Sequence, residues 1–354
     1  MTVKLALVVI SATLVIGCTS SPSPSASRPP VSTEGTATAA PASPNAPAIA
    51  SSAPSAAATA SAAGSADLNM IASISVGSGP CAMVELDGSV WVTNYSDGTV
   101  VRIDGATNQV VQTVSLGLSS MPCGVTAANG RLWVGALGQH ALLEVDPTPG
   151  SIVKTIDVGG PIWDVEYGFG SVWTSVQLSD TILRIDPNDG STQATIDGGP
   201  TVSGLAITRD QVWVANQGGT TIDRIDPASN KIVSHVEVGD APFWFAVGDD
   251  KVLASLTSAN SVVIIDARTG QAGEPIGVGQ VPHDPGFVDG SFWMPNQQSG
   301  DVSVIDPSTE SLVGSFTPPA ARGIFLADQA LGDGWVLDYA GVSAYRYRAM
   351  AGQP

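Results

Sequence analysis

The sequence predicts an all-β protein: a seven-bladed β-propeller with four antiparallel strands in each blade. Three observations predict this fold. A large apolar residue, usually tryptophan, recurs at steps of 40 to 42 residues along the chain. An aspartate that follows Ile or Val lies thirteen residues after each of the first six of these positions. Short segments rich in Val, Ile, Leu and Trp alternate with Gly, Pro and Asp, as in strands joined by turns. A repeat of about 40 residues with such content is typical of propeller blades.

Each repeated residue type has a structural reason. The tryptophan of a second strand supplies an apolar face between neighbouring blades. The aspartate that ends a third strand accepts backbone N–H bonds in the turn that follows. The apolar series is Trp91, Trp133, Trp173, Trp213, Leu253, Trp293 and Trp335. The aspartate series is Asp104, Asp146, Asp186, Asp226, Asp266 and Asp306.

The second unit shows how one blade is built. We expect its four strands at Met121–Ala127, Arg131–Ala136, Ala141–Asp146 and Ser151–Val158. Each segment is short, partly alternating, and bounded by Gly, Pro or Asp. Four such strands make one propeller blade.

The last unit lacks a fourth strand. After its third strand, Val342–Tyr347, the sequence offers no further strand, whereas Ile71–Val76 precedes the first complete unit. Gly77 lies fourteen residues before Trp91, the spacing that four other units show between a glycine and their apolar position. We therefore expect the N-terminal strand to complete the last blade, which removes two open sheet edges.

The N-terminal region predicts export and lipid anchoring. Residues 1–18 form a short apolar stretch that ends in Val-Ile-Gly-Cys, which resembles the bacterial lipobox; the alternative is an ordinary signal peptide. Cys18 is then the lipidated residue. Residues 19–66, rich in Ser, Ala and Pro, predict a disordered tether, and residues 349–354 a C-terminal tail. The expected location is the extracytoplasmic side of a bacterial cell membrane, with residues 67–348 as the propeller.

The charge excludes one class of partner. The formal net charge is −18, from 14 Lys and Arg against 32 Asp and Glu. A nucleic-acid binder needs a basic footprint, so we expect no nucleic-acid partner. The same charge opposes docking on anionic lipid and favours solubility of an exported protein.

Several stretches carry a family resemblance. SVWVTN from Ser89, QVWVAN from Gln211 and SFWMPN from Ser291, with VVRID from Val100 and TIDRID from Thr221, resemble YVTN-type seven-bladed propellers. They also resemble the related streptogramin-lyase-like (virginiamycin B lyase-like) group. The resemblance covers residues 68–348 and implies the fold, while such scaffolds host many functions.

The candidate site is the mouth of the central channel. The residues ten and nine positions before each apolar position lead into the innermost strands, and they vary more than the rest of the repeat. In the last unit we place Arg322 or Gly323 at this point, assuming a small insertion. A concave mouth with a few polar groups is the default ligand site. The candidate ligand-binding residues are Cys81, Cys123, Trp163, Asp164, Phe243, Trp244, His283, Asp284 and Arg322.

His283 is the candidate catalytic residue, because a histidine near its usual pKa works as a general base. The streptogramin-lyase-like group places a histidine after a proline here, and Pro282-His283 matches. The resemblance also implies a second histidine, a glutamate and a divalent metal. The sequence departs from that pattern, with Asn94, Asn216 and Asn296 where the glutamate is expected. His140 is a candidate second imidazole.

Cys81 and Cys123 occupy equivalent positions in neighbouring units, each after a proline. In an exported protein this favours a disulfide between them, with two independent thiols as the alternative. We assign no metal site and no required cofactor.

The leading functional hypothesis is a membrane-anchored, monomeric binding or scaffold module for a small molecule or an envelope protein. The alternatives are a streptogramin-lyase-like or lactonase-like enzyme that uses His283 with a divalent metal, and a solute-sensing subunit of an envelope complex.

Overall fold

The computed structural model describes residues 68–348, which form seven four-stranded antiparallel sheets arranged as blades in a ring. The predicted propeller is confirmed. Residues 1–18, 19–66 and 349–354, to which we assign the signal peptide, tether and tail, lie outside the described residues. Within the described range no helix has the length and apolarity needed to cross a membrane.

The strands follow each other from the channel outward in every blade except the last. Blade 1 comprises β2 (Pro80–Leu86), β3 (Ser89–Asn94), β4 (Thr99–Asp104) and β5 (Gln109–Ser115). Blade 2 comprises β6 (Pro122–Ala128), β7 (Arg131–Ala136), β8 (Ala141–Asp146) and β9 (Ser151–Asp157). Blade 3 comprises β10 (Ile162–Gly168), β11 (Ser171–Val176), β12 (Thr181–Ile185) and β13 (Thr192–Asp197). Blade 4 comprises β14 (Val202–Ile207), β15 (Val212–Asn216), β16 (Thr221–Asp226) and β17 (Lys231–Glu237).

The remaining blades are less regular. Blade 5 comprises β18 (Pro242–Gly248), β19 (Lys251–Leu256), β20 (Ser261–Asp266) and the short β21 (Ile276–Gly277). Blade 6 comprises β22 (Gly286–Val288), β23 (Ser291–Asn296), β24 (Asp301–Asp306) and β25 (Ser311–Phe316). Blade 7 comprises β26 (Ile324–Ala330), β27 (Asp333–Asp338), β28 (Ser343–Tyr347) and β1 (Met70–Ser75). Three 3-10 turns, Leu137–Gln139, Gln177–Ser179 and Thr257–Ala259, join second to third strands.

The N-terminal strand closes the ring, as predicted. β1 pairs antiparallel with β28, with Ile74 opposite Ala344. Backbone hydrogen bonds extend the pairing at both ends, from Val76 N to Val342 O at 3.1 Å and from Arg348 N to Asn69 O at 3.0 Å. Blade 7 therefore consists of the two ends of the propeller, and β1 covers the edge that β28 would otherwise expose.

The tryptophan series packs between blades, also as predicted. Its members are buried, with exposed fractions of 0 to 4%, and Leu253 in the same position is fully buried. In four blades an arginine on the third strand lies over the tryptophan ring at 4.7 to 5.8 Å, a cation–π contact. These pairs are Trp91–Arg102, Trp173–Arg184, Trp213–Arg224 and Trp335–Arg346.

The aspartate series caps turns. Asp104, for example, accepts a hydrogen bond from the backbone N–H of Thr107 at 2.9 Å, and Asp306 accepts one from Ser308 at 2.7 Å. Hydrogen bonds from the hydroxyls of Thr107 and Ser308, with these backbone bonds, hold the pKa of both carboxyls below the usual range. The series is therefore structural.

Candidate functional site

A layer of aromatic side chains lies where the chain enters the innermost strands. The rings of Phe243 and Trp244 lie 4.9 Å apart, and both contact His283, at 5.5 and 5.9 Å. Trp163 meets the Trp244 ring edge-on at 6.4 Å. The His283 ring lies only 3.8 Å from that of Phe325. We call these five residues the aromatic layer. Four of them were predicted for the mouth, and the structure brings them together.

The aromatic layer is packed rather than open. Trp244 is 2% exposed and His283 is 8% exposed. Three polar atoms in the layer are buried without a hydrogen-bond partner: Nε1 of Trp163, Nε1 of Trp244 and Nδ1 of His283. Buried polar atoms are normally satisfied, so these three indicate unmet hydrogen-bonding capacity. The predicted mouth therefore carries a packed layer of rings, in which Trp163 is half-buried.

A cavity of about 290 Å³ lies inside the ring next to this layer. Its lining begins at Asp164 and Asp284, directly after Trp163 and His283 in the chain, and continues along the innermost strands to Ile207 and Val247. These strands end at the turns that join first to second strands. The cavity thus runs from the aromatic layer toward the face opposite the predicted mouth.

Four carboxylates line the cavity at two levels. On the neighbouring strand of its own blade, Glu166 pairs in register with Trp173, and Asp328 pairs with Trp335. Asp164 lies two residues before Glu166, and Asp284 lies two residues before Gly286, which faces its own tryptophan. Alternate residues of a strand point to the same side, so Asp164 and Asp284 form an upper level and the other two a lower level.

Sequence reasoning missed the lower level. The candidate list stopped at the residues nine positions before the apolar series. Strand alternation extends the channel surface two residues further, to Glu166 and Asp328. The period-two pattern of the innermost strands was the signal that identifies them.

The environment of the cavity disfavours ionised carboxyls. Burial raises the pKa of Asp164 and of Asp328 to about 6, although backbone N–H groups bonded to each carboxyl oppose the shift. Burial, with repulsion from the neighbouring carboxylates, raises the pKa of Glu166 and Asp284 well above the usual range. Among the residues that line the cavity there is no Lys, Arg or His. The negative charge has no basic counterpart there.

Asp284 is positioned by an interruption in blade 6. Pro282 and Pro285 flank His283-Asp284, and neither proline supplies a backbone N–H for the sheet. The segment instead bonds to the innermost strand of blade 7: Asp284 N–H donates to Phe325 O, and Ala327 N–H donates to Asp284 O, both at 3.0 Å. This parallel bridge holds the Asp284 backbone against blade 7.

The polar partners of the four carboxylates differ. Asp164 accepts two backbone hydrogen bonds, from Val165 and from Leu205 of the next blade, both at 2.8 Å. Asp328 accepts one from Gln329 at 2.7 Å. No side-chain hydrogen bond to Asp284 is present among residues 68–348. Asp284 is thus the carboxylate with most capacity for a ligand.

Cys81 and Cys123 form a disulfide, with 5.1 Å between their Cα atoms. It links the innermost strands of blades 1 and 2, and both residues are 2% exposed. Their position is structural rather than ligand-facing in this arrangement, because neither lines the cavity.

Arg322 lies away from the cavity. Its side chain is exposed, and its backbone N–H bonds to the Asp338 carboxylate. The pairing of Ile324 with Asp338 matches that of Pro80 with Asn94, so the residue equivalent to Cys81 is Phe325. The assumed insertion within the last unit is wrong: the extra residues precede β26, in the loop that leads into it.

The other sequence candidates are also remote from the cavity. His140 is exposed and ends a 3-10 turn with a φ of 54°. The Nδ2 of Asn94 donates to Val76 O at 2.7 Å, and that of Asn296 to Ser303 Oγ at 2.9 Å. Gly199 N–H donates to the Asn216 side chain at 3.0 Å. The three asparagines therefore make structural hydrogen bonds.

The residues around His283 do not fit the divalent metal that the enzyme hypothesis requires. Aromatic rings surround the imidazole, and burial lowers its pKa to about 3. Within the described part of the chain, no group of three or more His, Cys, Asp or Glu side chains is arranged to hold a metal ion. We derive no step through such a metal.

Comparisons with known proteins agree on the fold. The family model described as glutamine cyclotransferase matches residues 82–203. No curated protein matches the chain. A streptogramin B lyase structure is 14% identical with a TM-score of 0.68, over 77% of this chain and 94% of that chain. A catalytically inactive His-to-Ala variant of virginiamycin B lyase from Staphylococcus aureus, with quinupristin, is 16% identical with a TM-score of 0.66, over 77% and 95%.

A third solved structure has a similar fold. The β-propeller domain of Cps50 (Swd1) from Myceliophteria thermophila is 11% identical with a TM-score of 0.68, over 80% of this chain and 100% of that chain. The resemblance to streptogramin lyases noted in the sequence is confirmed for the architecture: the chain is a seven-bladed β-propeller similar in fold to these proteins.

Proposed function

We propose that this protein is an extracytoplasmic, lipid-anchored binding module that holds a small ligand in the central channel. The observation that carries the proposal is the cavity of about 290 Å³, which four carboxylates line and whose lining begins directly after the aromatic layer in the chain. Binding sites combine apolar walls with a few polar groups, and carboxyls with shifted pKa values favour a functional site. A volume near 300 Å³ suits a small ligand.

The ligand enters from the face opposite the aromatic layer. Trp244 and Phe325 are 2% and 7% exposed, so these rings offer a ligand little accessible surface at their own end. The cavity instead continues to Ile207, Val247 and Phe287, near the ends of their strands. This direction differs from the mouth expected from the sequence.

Binding is better supported than base catalysis. In the virginiamycin B lyase structure, a His-to-Ala variant is catalytically inactive. In this chain, His283 has a pKa of about 3 because it is buried among rings, so it accepts a proton poorly at neutral pH. Lactone or cyclic depsipeptide turnover that requires a divalent metal and is abolished by His283→Ala would establish the enzyme alternative instead.

Native mass spectrometry of the full chain, purified under mild conditions, tests the binding site. Ala246 pairs in register with Leu253 and lines the cavity. Ala246→Phe fills the cavity and should remove the small molecule that co-purifies. Val233→Phe, a matched change on the rim where Val233 is 53% exposed, should leave it bound. Equal ligand content in both variants would place the site elsewhere.

The anchor is tested separately through Cys18, because the first 18 residues carry the export signal. Cys18→Ala should release the protein from the membrane fraction or leave it unprocessed. A mature N-terminus that maps within residues 25–40 would contradict the lipid anchor and leave the channel proposal intact.

A further inference from the structure

We infer that the cavity recognises a short aliphatic diamine, with one ammonium group at each level of carboxylates. This inference rests on the channel being the ligand site. Its first basis is spacing: Asp164 and Glu166, two residues apart on β10, both line the cavity. Two residues along a strand span about 6–7 Å. Ammonium groups separated by four or five methylenes span a similar distance.

The second basis is uncompensated charge. The upper level holds Asp164 and Asp284, the lower level Glu166 and Asp328, and no basic side chain lines the cavity among the described residues. A buried carboxylate is stable when it is paired with a cation or protonated. A single ligand with two positive charges would neutralise the carboxylate charge at both levels.

The third basis is independent of the carboxylates. His283 immediately precedes Asp284, is more than nine-tenths buried, and its Nδ1 has no hydrogen-bond partner. A neutral imidazole carries one acceptor nitrogen. Unmet acceptor capacity therefore lies directly beside the upper level, on the residue next to Asp284 in the chain.

The walls between the two levels suit a methylene chain. Ala206, Ala246 and Leu326 line the cavity with small or apolar side chains. The carboxylates belong to three blades and do not converge into a metal-holding cluster within residues 68–348. An extended organic cation matches such separated charges better than a compact metal ion does.

Isothermal titration of the full chain with 1,5-diaminopentane at pH 8 tests the inference, with pentylamine as the monovalent probe and glutarate as the anionic one. We expect the diamine to bind at least about tenfold more tightly than pentylamine, because one more ion pair of about 1.4 kcal/mol or more forms. Glutarate should not bind. Asp328→Asn should remove the preference for the diamine.

Asp289→Asn is the control, because Asp289 is an exposed acid with a φ of 47° that asparagine also adopts. It should leave diamine affinity unchanged. Equal affinity for diamine and monoamine in the unsubstituted chain, or equal loss in the Asp328 and Asp289 variants, would overturn the inference. A co-purifying ligand that is not an amine but is lost in Ala246→Phe would overturn the diamine assignment alone. Retention of every ligand by Ala246→Phe would overturn the channel site itself.

Discussion

The Arg346 guanidinium donates a hydrogen bond of 2.7 Å to the Asn108 side chain, although 238 residues separate the two in the sequence. The same Nη1 donates to Gly105 O at 2.7 Å, while Nε bonds to Asp333 at 2.8 Å. Arg346 thus joins the last blade to the turn between the third and fourth strands of the first. The ring is closed by this side chain as well as by β1.

Arg346→Met should therefore lower the free energy of unfolding by about 2–4 kcal/mol, because it removes charge-assisted hydrogen bonds across the junction. Arg102→Met is the matched control. Arg102 lies over Trp91 at 5.8 Å and bonds to Ser89 within its own blade. Urea denaturation should show the larger loss for the Arg346 variant, and equal losses would deny it a special role in closure.

Truncation separates the tether from the closing strand. Deletion of residues 19–66 should leave the melting temperature nearly unchanged, because the propeller begins after them. Deletion through Val76 should cause unfolding or aggregation, because it removes β1 and exposes the edge of β28. If both truncated proteins melted at the same temperature, β1 would not be required for closure.

Much of this fold could be predicted because the same pattern of residues recurs in seven units. The period located the buried tryptophans, and the missing fourth strand after Tyr347 identified the closing strand. The channel was harder to predict because it is where the repeats differ. Counting back from the apolar series led to Asp164 and Asp284, both of which line the cavity.

The remaining differences have physical causes. Glu166 and Asp328 follow from strand alternation, which the candidate list did not extend. The aromatic layer depends on how five rings pack, which residue spacing does not determine. Arg322 was misplaced because the extra residues of the last unit lie in the loop before β26. The spacing between Trp293 and Trp335 shows that residues have been added but not where they lie.

The cavity also predicts an unusual dependence of stability on pH. Asp164 and Asp328 have a pKa of about 6 in the folded protein, against an ordinary value near 3.8. Between these values the native state binds more protons than the unfolded state, so the free energy of unfolding falls as pH rises from about 4 to about 6. Each group contributes on the order of 1–3 kcal/mol.

The melting temperature should therefore be several degrees higher at pH 5 than at pH 8, at about 2–4 °C per kcal/mol. Asp328→Asn should raise the melting temperature at pH 8 and so reduce the difference between the melting temperatures at pH 5 and pH 8. Asp289→Asn should change neither melting temperature. Below about pH 4 the turn aspartates, such as Asp306, reverse the trend, because their lowered pKa makes protonation favour unfolding. A stability that rises steadily from pH 5 to pH 8 would contradict the charge state assigned to the cavity.

The disulfide between Cys81 and Cys123 should add about 4 kcal/mol to stability, because it restricts a 42-residue separation in the unfolded chain. The double change to serine should lower the urea midpoint by a corresponding amount. Diamine affinity should remain, because neither cysteine lines the cavity. Unchanged stability would show that the bond contributes little to the fold.

Replacement of an aromatic-layer residue should affect binding and folding together. Trp163→Ala should weaken ligand binding by about 1–3 kcal/mol. Trp244→Ala should also lower the melting temperature, because Trp244 is 2% exposed and its removal leaves a void.

The account depends on the central channel being the place where the ligand lies. A crystal structure of the full chain, purified without stripping bound molecules and solved at a resolution that distinguishes a small molecule from water, tests this most directly. We predict continuous density between Trp244 and Asp328, in contact with Asp284. Water alone in the cavity, with ligand density on the rim or on the outer side of the aromatic layer, would contradict the account.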